Sequence, residues 1–180
     1  MSLFLIGYRG TGKTTVGALA AERLGWRFVD ADALLQQRAG RSIAEIFAAG
    51  GEPAFRELEQ QIVAELAQRQ DHVIALGGGA VLRQANRDAL AAADGVVVWL
   101  TASADCLAQR LAQDAATAAQ RPALTGQSPE AEIATLLGER EPLYRQCAAW
   151  AVDTQGRSPA EIAADILKRL AASGDAGPDG

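Results

Sequence analysis

The short apolar run Leu3-Phe4-Leu5-Ile6 enters Gly7-Tyr8-Arg9-Gly10-Thr11-Gly12-Lys13-Thr14-Thr15, and this junction constrains the fold more than any other stretch of the chain. The pattern G-x-x-x-x-G-K-[ST] works as a phosphate loop only between a buried strand and a helix. Residues 16–24, Val-Gly-Ala-Leu-Ala-Ala-Glu-Arg-Leu, supply the helix. Glycines in the loop let backbone N–H groups curl round an anion with no Cβ in the way. A helix beginning near Lys13 adds its N-terminal dipole and its unbonded N–H groups. Lys13 carries a point charge to the outer phosphates, and the Thr14 hydroxyl suits Mg²⁺. Gly10, Thr11, Gly12, Lys13, Thr14 and Thr15 are therefore the expected cradle for a nucleoside triphosphate. The loop alone does not say what accepts the phosphate.

The rest of the chain continues the alternation of strand and helix. Strands are expected at 3–6, 27–30, 72–76, 95–100 and 149–153, short and apolar as strands covered on both faces are. Between them Phe55, Leu58, Ile62, Val63 and Leu66 recur at helical spacing. Ser42 with Glu45, and Ser158 with Glu161, have capping-box spacing, the second pair with Pro159 at the first helical position. Such alternation predicts a doubly wound, three-layer α/β domain around a mainly parallel sheet. A single domain over 1–172 suits a chain of 180 residues. Residues 114–128 are too long for a simple connection and are expected to form a mobile lid. The Gly, Asp, Pro and Ala tail at 173–180 is expected to be disordered.

Composition excludes several classes. The apolar fraction of 49% overstates the core because 39 residues are Ala, yet charged residues at 22% rule out a disordered polyelectrolyte. The net charge of −5 disfavours nucleic acid as a partner. The longest bulky apolar run, Val96-Val97-Val98-Trp99-Leu100, falls far short of the roughly 20 residues that cross a bilayer. Cys106 and Cys147 have neither metal-ligand nor disulfide-framework spacing, and the first residues carry no basic leader, so a cytoplasmic location is expected.

Ligands of open α/β sheets bind beyond the carboxyl ends of the strands. Strand two ends in Asp30-Ala31-Asp32. These carboxylates either face the transferred phosphate, one holding Mg²⁺ through water and the other an acceptor hydroxyl, or cap the next helix. Strand three ends in Leu76-Gly77-Gly78-Gly79, either a flexible turn or bare backbone beside a ligand. Arg56, Arg121 and Arg140 taken singly are ordinary surface arginines; their positions beside the other pieces change that reading.

Together, Gly7–Thr15, Asp30-Ala-Asp32, Gly50-Gly-Glu-Pro-Ala-Phe-Arg56, Gly77–Gly79, Arg121-Pro122 and Arg140-x-Pro142-Leu-Tyr144 resemble the shikimate kinases, a family of nucleoside monophosphate kinase-like P-loop enzymes. The resemblance spans about residues 3 to 170. It implies a five-stranded parallel sheet in order 2-3-1-4-5, a substrate-binding helical region at about 32–60 and a closing lid. It implies MgATP and shikimate as ligands, with transfer of phosphate to the 3-hydroxyl of shikimate by a monomer. Lys13, Asp32 and Arg121 are then catalytic, Asp32 as base or hydroxyl orienter and Arg121 from the lid toward the γ-phosphate. Thr14 and Asp30 serve the metal. Asp32, Arg56, Gly78, Gly79 and Arg140 hold shikimate, and Arg110 and Arg157 flank the adenine. A gluconate- or nucleotide-type kinase shares the scaffold without needing the arginine and triple-glycine set. A ligand-sensing module would carry an effector domain.

Overall fold

The computed structural model describes residues 1–113 and 128–174. Five strands, β1 (Ser2–Ile6), β2 (Arg27–Asp30), β3 (His72–Ala75), β4 (Gly95–Thr101) and β5 (Trp150–Asp153), form one sheet in the order β2-β3-β1-β4-β5. Every pair is parallel, with Leu3 opposite both Val73 and Val96, and Leu5 opposite Ala75 and Val98. This is the expected order.

Around the sheet lie α1 (Lys13–Leu24), α2 (Ala31–Ala39), α3 (Ile43–Leu66), α4 (Gln84–Ala92), α5 (Ala104–Gln113), α6 (Pro129–Cys147) and α7 (Pro159–Gly174), with a single 3₁₀ turn at Ala80–Leu82. Side chains of β1 alternate between the two faces, and both faces are covered. Phe4 and Ile6 enter a cluster with Phe55, Ile62 and Leu66 of α3 and Tyr144 of α6. Leu3 and Leu5 meet Val16 and Ala20 of α1 and Ile162 and Ile166 of α7. Burying each of these large side chains contributes about 1.5–3 kcal/mol, so the central strand anchors the loop that follows it.

Strand ends depart from the expected ones by a residue: β3 stops at Ala75 and β5 starts at Trp150. At the sheet's edge, β2 is only half covered, because β3 is its single neighbour strand. Both capping boxes are made. The Ser42 hydroxyl accepts from Glu45 N–H while Glu45 accepts from Ser42 N–H, and Ser158 and Glu161 repeat the pattern. Gly51, with φ 67° and ψ −169°, breaks α3 into two segments. Pro53 therefore sits in the first turn of the second segment, where a missing N–H costs nothing. The last helix reaches Gly174, two residues past the expected domain edge. The rest of the expected tail, and the expected lid apart from Ser128, lie outside the described residues. Ser128 itself caps α6. No helix among the described residues is long and apolar enough to cross a membrane.

Candidate active site

Parallel strands bring all their carboxyl ends to one edge. There a cavity of about 500 Å³ is lined by Gly10, Gly12, Lys13, Thr14, Thr15, Asp30, Asp32, Gly77, Gly78 and Arg110, and also by Arg9, Gln36 and Leu111. Residues expected to serve the nucleotide and residues expected to serve the acceptor thus share one space.

The phosphate loop turns on Gly7, Gly10 and Gly12, whose φ angles of 136°, 81° and 86° lie in the region open to glycine. Gly12 is the N-cap of α1 and offers no side-chain acceptor, so the first-turn N–H groups remain available to an anion. Thr11 is buried, and its hydroxyl ties the loop by donating to the Tyr8 carbonyl at 2.8 Å. The Lys13 ammonium donates to the Gly7 and Tyr8 carbonyls at 2.8 and 2.9 Å. Its side chain lies folded back across the loop.

Asp30 makes the expected helix cap and also meets the phosphate loop. Its Oδ1 caps α2, accepting from the N–H groups of Asp32 and Ala33, while its Oδ2 accepts from the Thr14 hydroxyl at 2.8 Å. The cap therefore holds a carboxylate against the threonine expected to ligate Mg²⁺. Asp32, in the first turn of α2, faces the glycine run: a Cβ added at Gly77 would stand 2.7 Å from Asp32 Oδ1 and 3.0 Å from Glu59 Oε1.

Arg56, Gly79 and Arg140 do not line this cavity; they are buried next to its lining residue Gly78, with Arg56 against Gly79 and Arg140 against the Gly78 carbonyl. Arg56 is 8% exposed and Arg140 9%. Arg56 donates through Nη1 to Glu59 at 2.6 Å and through Nε to Glu52 at 3.1 Å. Burial pulls the Arg56 guanidinium down, but Glu59 and Glu52 more than restore it, so it lies above the ordinary arginine value. Arg140 rests with its guanidinium carbon 5.5 Å from the centre of the Tyr8 ring, and its Nη1 donates to the Gly78 carbonyl at 3.4 Å. Tyr144 donates its hydroxyl to the same carbonyl while its ring stacks on Trp99. Burial pushes the Tyr144 phenol up to about 12, partly offset by Arg140, so it remains a donor.

On the nucleotide side Arg110 braces the loop. It donates to the Gly10 carbonyl at 3.1 Å and to both the hydroxyl and the carbonyl of Thr154. Arg157 stands on the loop after β5 without lining the cavity, held by Asp165 and by the Asp153 carbonyl. Arg121 lies outside the described residues. Four contributors escaped the sequence reading: Arg9, Glu52, Glu59 and the hydroxyl of Tyr144. The two glutamates were within reach, since they stand four residues before and three after Arg56, the spacings at which helical side chains meet.

These observations can be set beside known proteins. The shikimate kinase family model matches residues 9–171. A shikimate kinase of Rhodopirellula baltica is 47% identical over 171 residues, which is 95% of this chain and 91% of that one. One of Oleidesulfovibrio alaskensis is 46% identical over 172 residues, covering 96% of this chain and 98% of its own. The structure of shikimate kinase from Acinetobacter baumannii in complex with shikimate matches with a TM-score of 0.89 at 35% identity, over 96% of this chain and 93% of that one.

Proposed function

The chain belongs to the shikimate kinase family, whose reaction is ATP-dependent phosphorylation of the 3-hydroxyl of shikimate, and we propose how its residues divide that work. The observation that carries the assignment is the single cavity in which Lys13 and Thr14 share walls with Asp32, Gly77 and Gly78. Gly10, Thr11, Gly12, Lys13, Thr14 and Thr15 cradle the phosphates of ATP through backbone N–H groups. Lys13 leaves the Gly7 and Tyr8 carbonyls for the outer phosphates, where it faces charge that grows as the γ-phosphoryl group loosens. The shikimate carboxylate is held by Arg56 and Arg140 and by N–H groups of Gly78 and Gly79, since a carboxylate asks for guanidinium forks and backbone donors. Asp32 accepts a hydrogen bond from the 3-hydroxyl and aims its oxygen at the γ-phosphorus. A P–O bond to shikimate forms, the P–O bond to the ADP oxygen breaks, and the hydroxyl proton passes to Asp32. Arg110 and Arg157 flank the adenine, and Arg121 adds charge from the lid.

The donors Thr14 and Asp30 fit Mg²⁺, because a hydroxyl and a carboxylate oxygen 2.8 Å apart make a hard, all-oxygen pair beside the phosphate loop. When bound, the ion neutralises charge on the phosphate oxygens. A cytoplasmic location rests on the two unpaired cysteines.

A coupled ADP-release assay with MgATP tests the reading. Shikimate is expected to drive turnover in the wild type, ahead of quinate, gluconate and a nucleoside monophosphate. Asp32→Asn is expected to cut that turnover far more than it weakens ATP binding. Turnover with gluconate but not shikimate overturns the acceptor. An unchanged rate in Asp32→Asn overturns the role of the carboxylate.

A further inference from the structure

Arg9 occupies a variable position of the phosphate-loop pattern, so the motif asks nothing of it. The structure places it on the cavity wall with Asp32 and Gly78. Its backbone is part of the acceptor side: a Cβ added at Gly78 would lie 3.3 Å from Arg9 N. Its side chain lies over the buried Tyr8 ring, guanidinium carbon 5.9 Å from the ring centre, and Arg140 approaches the same ring at 5.5 Å. Tyr8, 2% exposed, is thus a shared platform for two guanidinium groups.

The other described arginines of the site are already engaged. Arg56 is held by Glu52 and Glu59, Arg110 by Gly10 and Thr154, and Arg140 donates to the Gly78 carbonyl. Arg9 differs. Its Nε is buried with no hydrogen-bond partner, and no described residue accepts a bond from its guanidinium. A buried guanidinium donor left unbonded costs roughly 1–3 kcal/mol, or more when charged, and natural interiors rarely keep such a group without a use. A planar fork in this state suits an oxyanion, which it can meet with two parallel bonds.

We propose that Arg9 is a specificity-determining residue of the acceptor pocket, hydrogen-bonding an oxyanion of the acceptor-side ligand. This rests on the assignment of shikimate as acceptor. That ligand offers two sources of the chemistry: the carboxylate of shikimate, and the phosphoryl group of shikimate 3-phosphate once transfer is complete. Either way, the bond that Nε lacks is made when the acceptor side is filled and not by ATP; with the carboxylate as partner, Arg9 separates anionic from neutral acceptors, and with the phosphoryl group as partner, it separates the phosphorylated product from the acceptor.

The experiment compares wild type, Arg9→Met and Arg9→Lys, with circular dichroism and thermal midpoint as fold controls. Steady-state kinetics with shikimate and its methyl ester form one arm, and calorimetric binding of shikimate 3-phosphate the other. If the carboxylate is the partner, Arg9→Met raises the shikimate KM by roughly 10- to 100-fold, leaves the ATP KM unchanged and hardly alters use of the ester. If the phosphoryl group is the partner, the shikimate KM holds and shikimate 3-phosphate binds weaker by a similar factor. Arg9→Lys keeps a charge but loses the fork, so it falls between the other two and supports the reading even if Arg9→Met does not fold. Unchanged affinity for both ligands in either folded variant, or a loss confined to ATP, overturns the proposal. A wild type that does not phosphorylate shikimate defeats the acceptor assignment instead, and the two failures cannot be confused.

Discussion

Replacing Gly79 by Ala inserts one methyl group into the most crowded part of the acceptor wall. The backbone tolerates it, since φ −103° and ψ 2° are open to any residue. The obstacle is Arg56: the new Cβ would stand 2.4 Å from Nη2, 2.5 Å from Nη1 and 2.7 Å from Cζ. A guanidinium on a free stem would swing aside. This one is bonded to Glu59 and Glu52 and is 8% exposed, so it can move only by disturbing both bonds. Overpacking of this kind costs about 1–3 kcal/mol. At about 2–4 °C per kcal/mol for a chain of this size, the thermal midpoint falls by about 2–12 °C. A displaced Arg56 also forfeits a charge-assisted bond to the carboxylate, about 1.5–3 kcal/mol, or roughly 10- to 100-fold in shikimate affinity. Calorimetric titration with shikimate and with an unreactive ATP analogue separates the effects: shikimate binding weakens and nucleotide binding holds. A Gly79→Ala protein that binds shikimate as the wild type does refutes the placement of Arg56 in the clamp, whatever happens to its melting.

Two further substitutions probe the scaffold. Tyr144 keeps its proton up to about 12, whereas an unfolded tyrosine releases it near 10, so between those values the unfolded chain has lost a proton that the folded chain retains. Stability must fall as pH rises through that window, by up to about 2–3 kcal/mol, and Tyr144→Phe removes this component; parallel stability profiles for the two proteins in urea unfolding would show that the buried phenol has no part in it. Gly138 lies exposed inside α6 with nothing within 4 Å of a built Cβ. Gly138→Ala should therefore stabilise by about 0.4–1 kcal/mol through the unfolded chain and the helix preference of alanine, and a lower denaturant midpoint would contradict that.

Much of the site was legible because the motifs coincide with strand ends. The run 3–6 leads into glycines that could serve little else. Gly77 follows β3, which lies beside the first strand, and Asp30 ends β2, one strand further out. What escaped depends on distance along the chain. Nothing local to Tyr144 says that its hydroxyl meets Gly78, 66 residues away, because that contact is decided by how α6 packs over the sheet. Arg9 was visible as a letter in the loop, but an arginine without a partner is a property of all its neighbours together. Asp30 resisted a choice between cap and ligand because its cap leaves the second oxygen turned to Thr14 of the phosphate loop. Its two oxygens point to different tasks, which no reading of a dipeptide separates.

The bonds that Arg56 donates to Glu52 and Glu59 are made within the fold itself. Freezing a long arginine side chain gives up about 1.5–2 kcal/mol of rotamer freedom, and here that loss belongs to folding, once in the life of the molecule, rather than to each catalytic cycle. The corresponding restriction falls on what the enzyme can come to accept. On the proposed role of Arg56, a guanidinium held against the glycine run sets the distance from carboxylate to reacting hydroxyl. A homologue of shikimate longer by a single methylene would bring one of those groups to the wrong place. On the same proposed role, broadening the range of acceptors would begin with Glu52 and Glu59, which hold the guanidinium, rather than with the arginine itself.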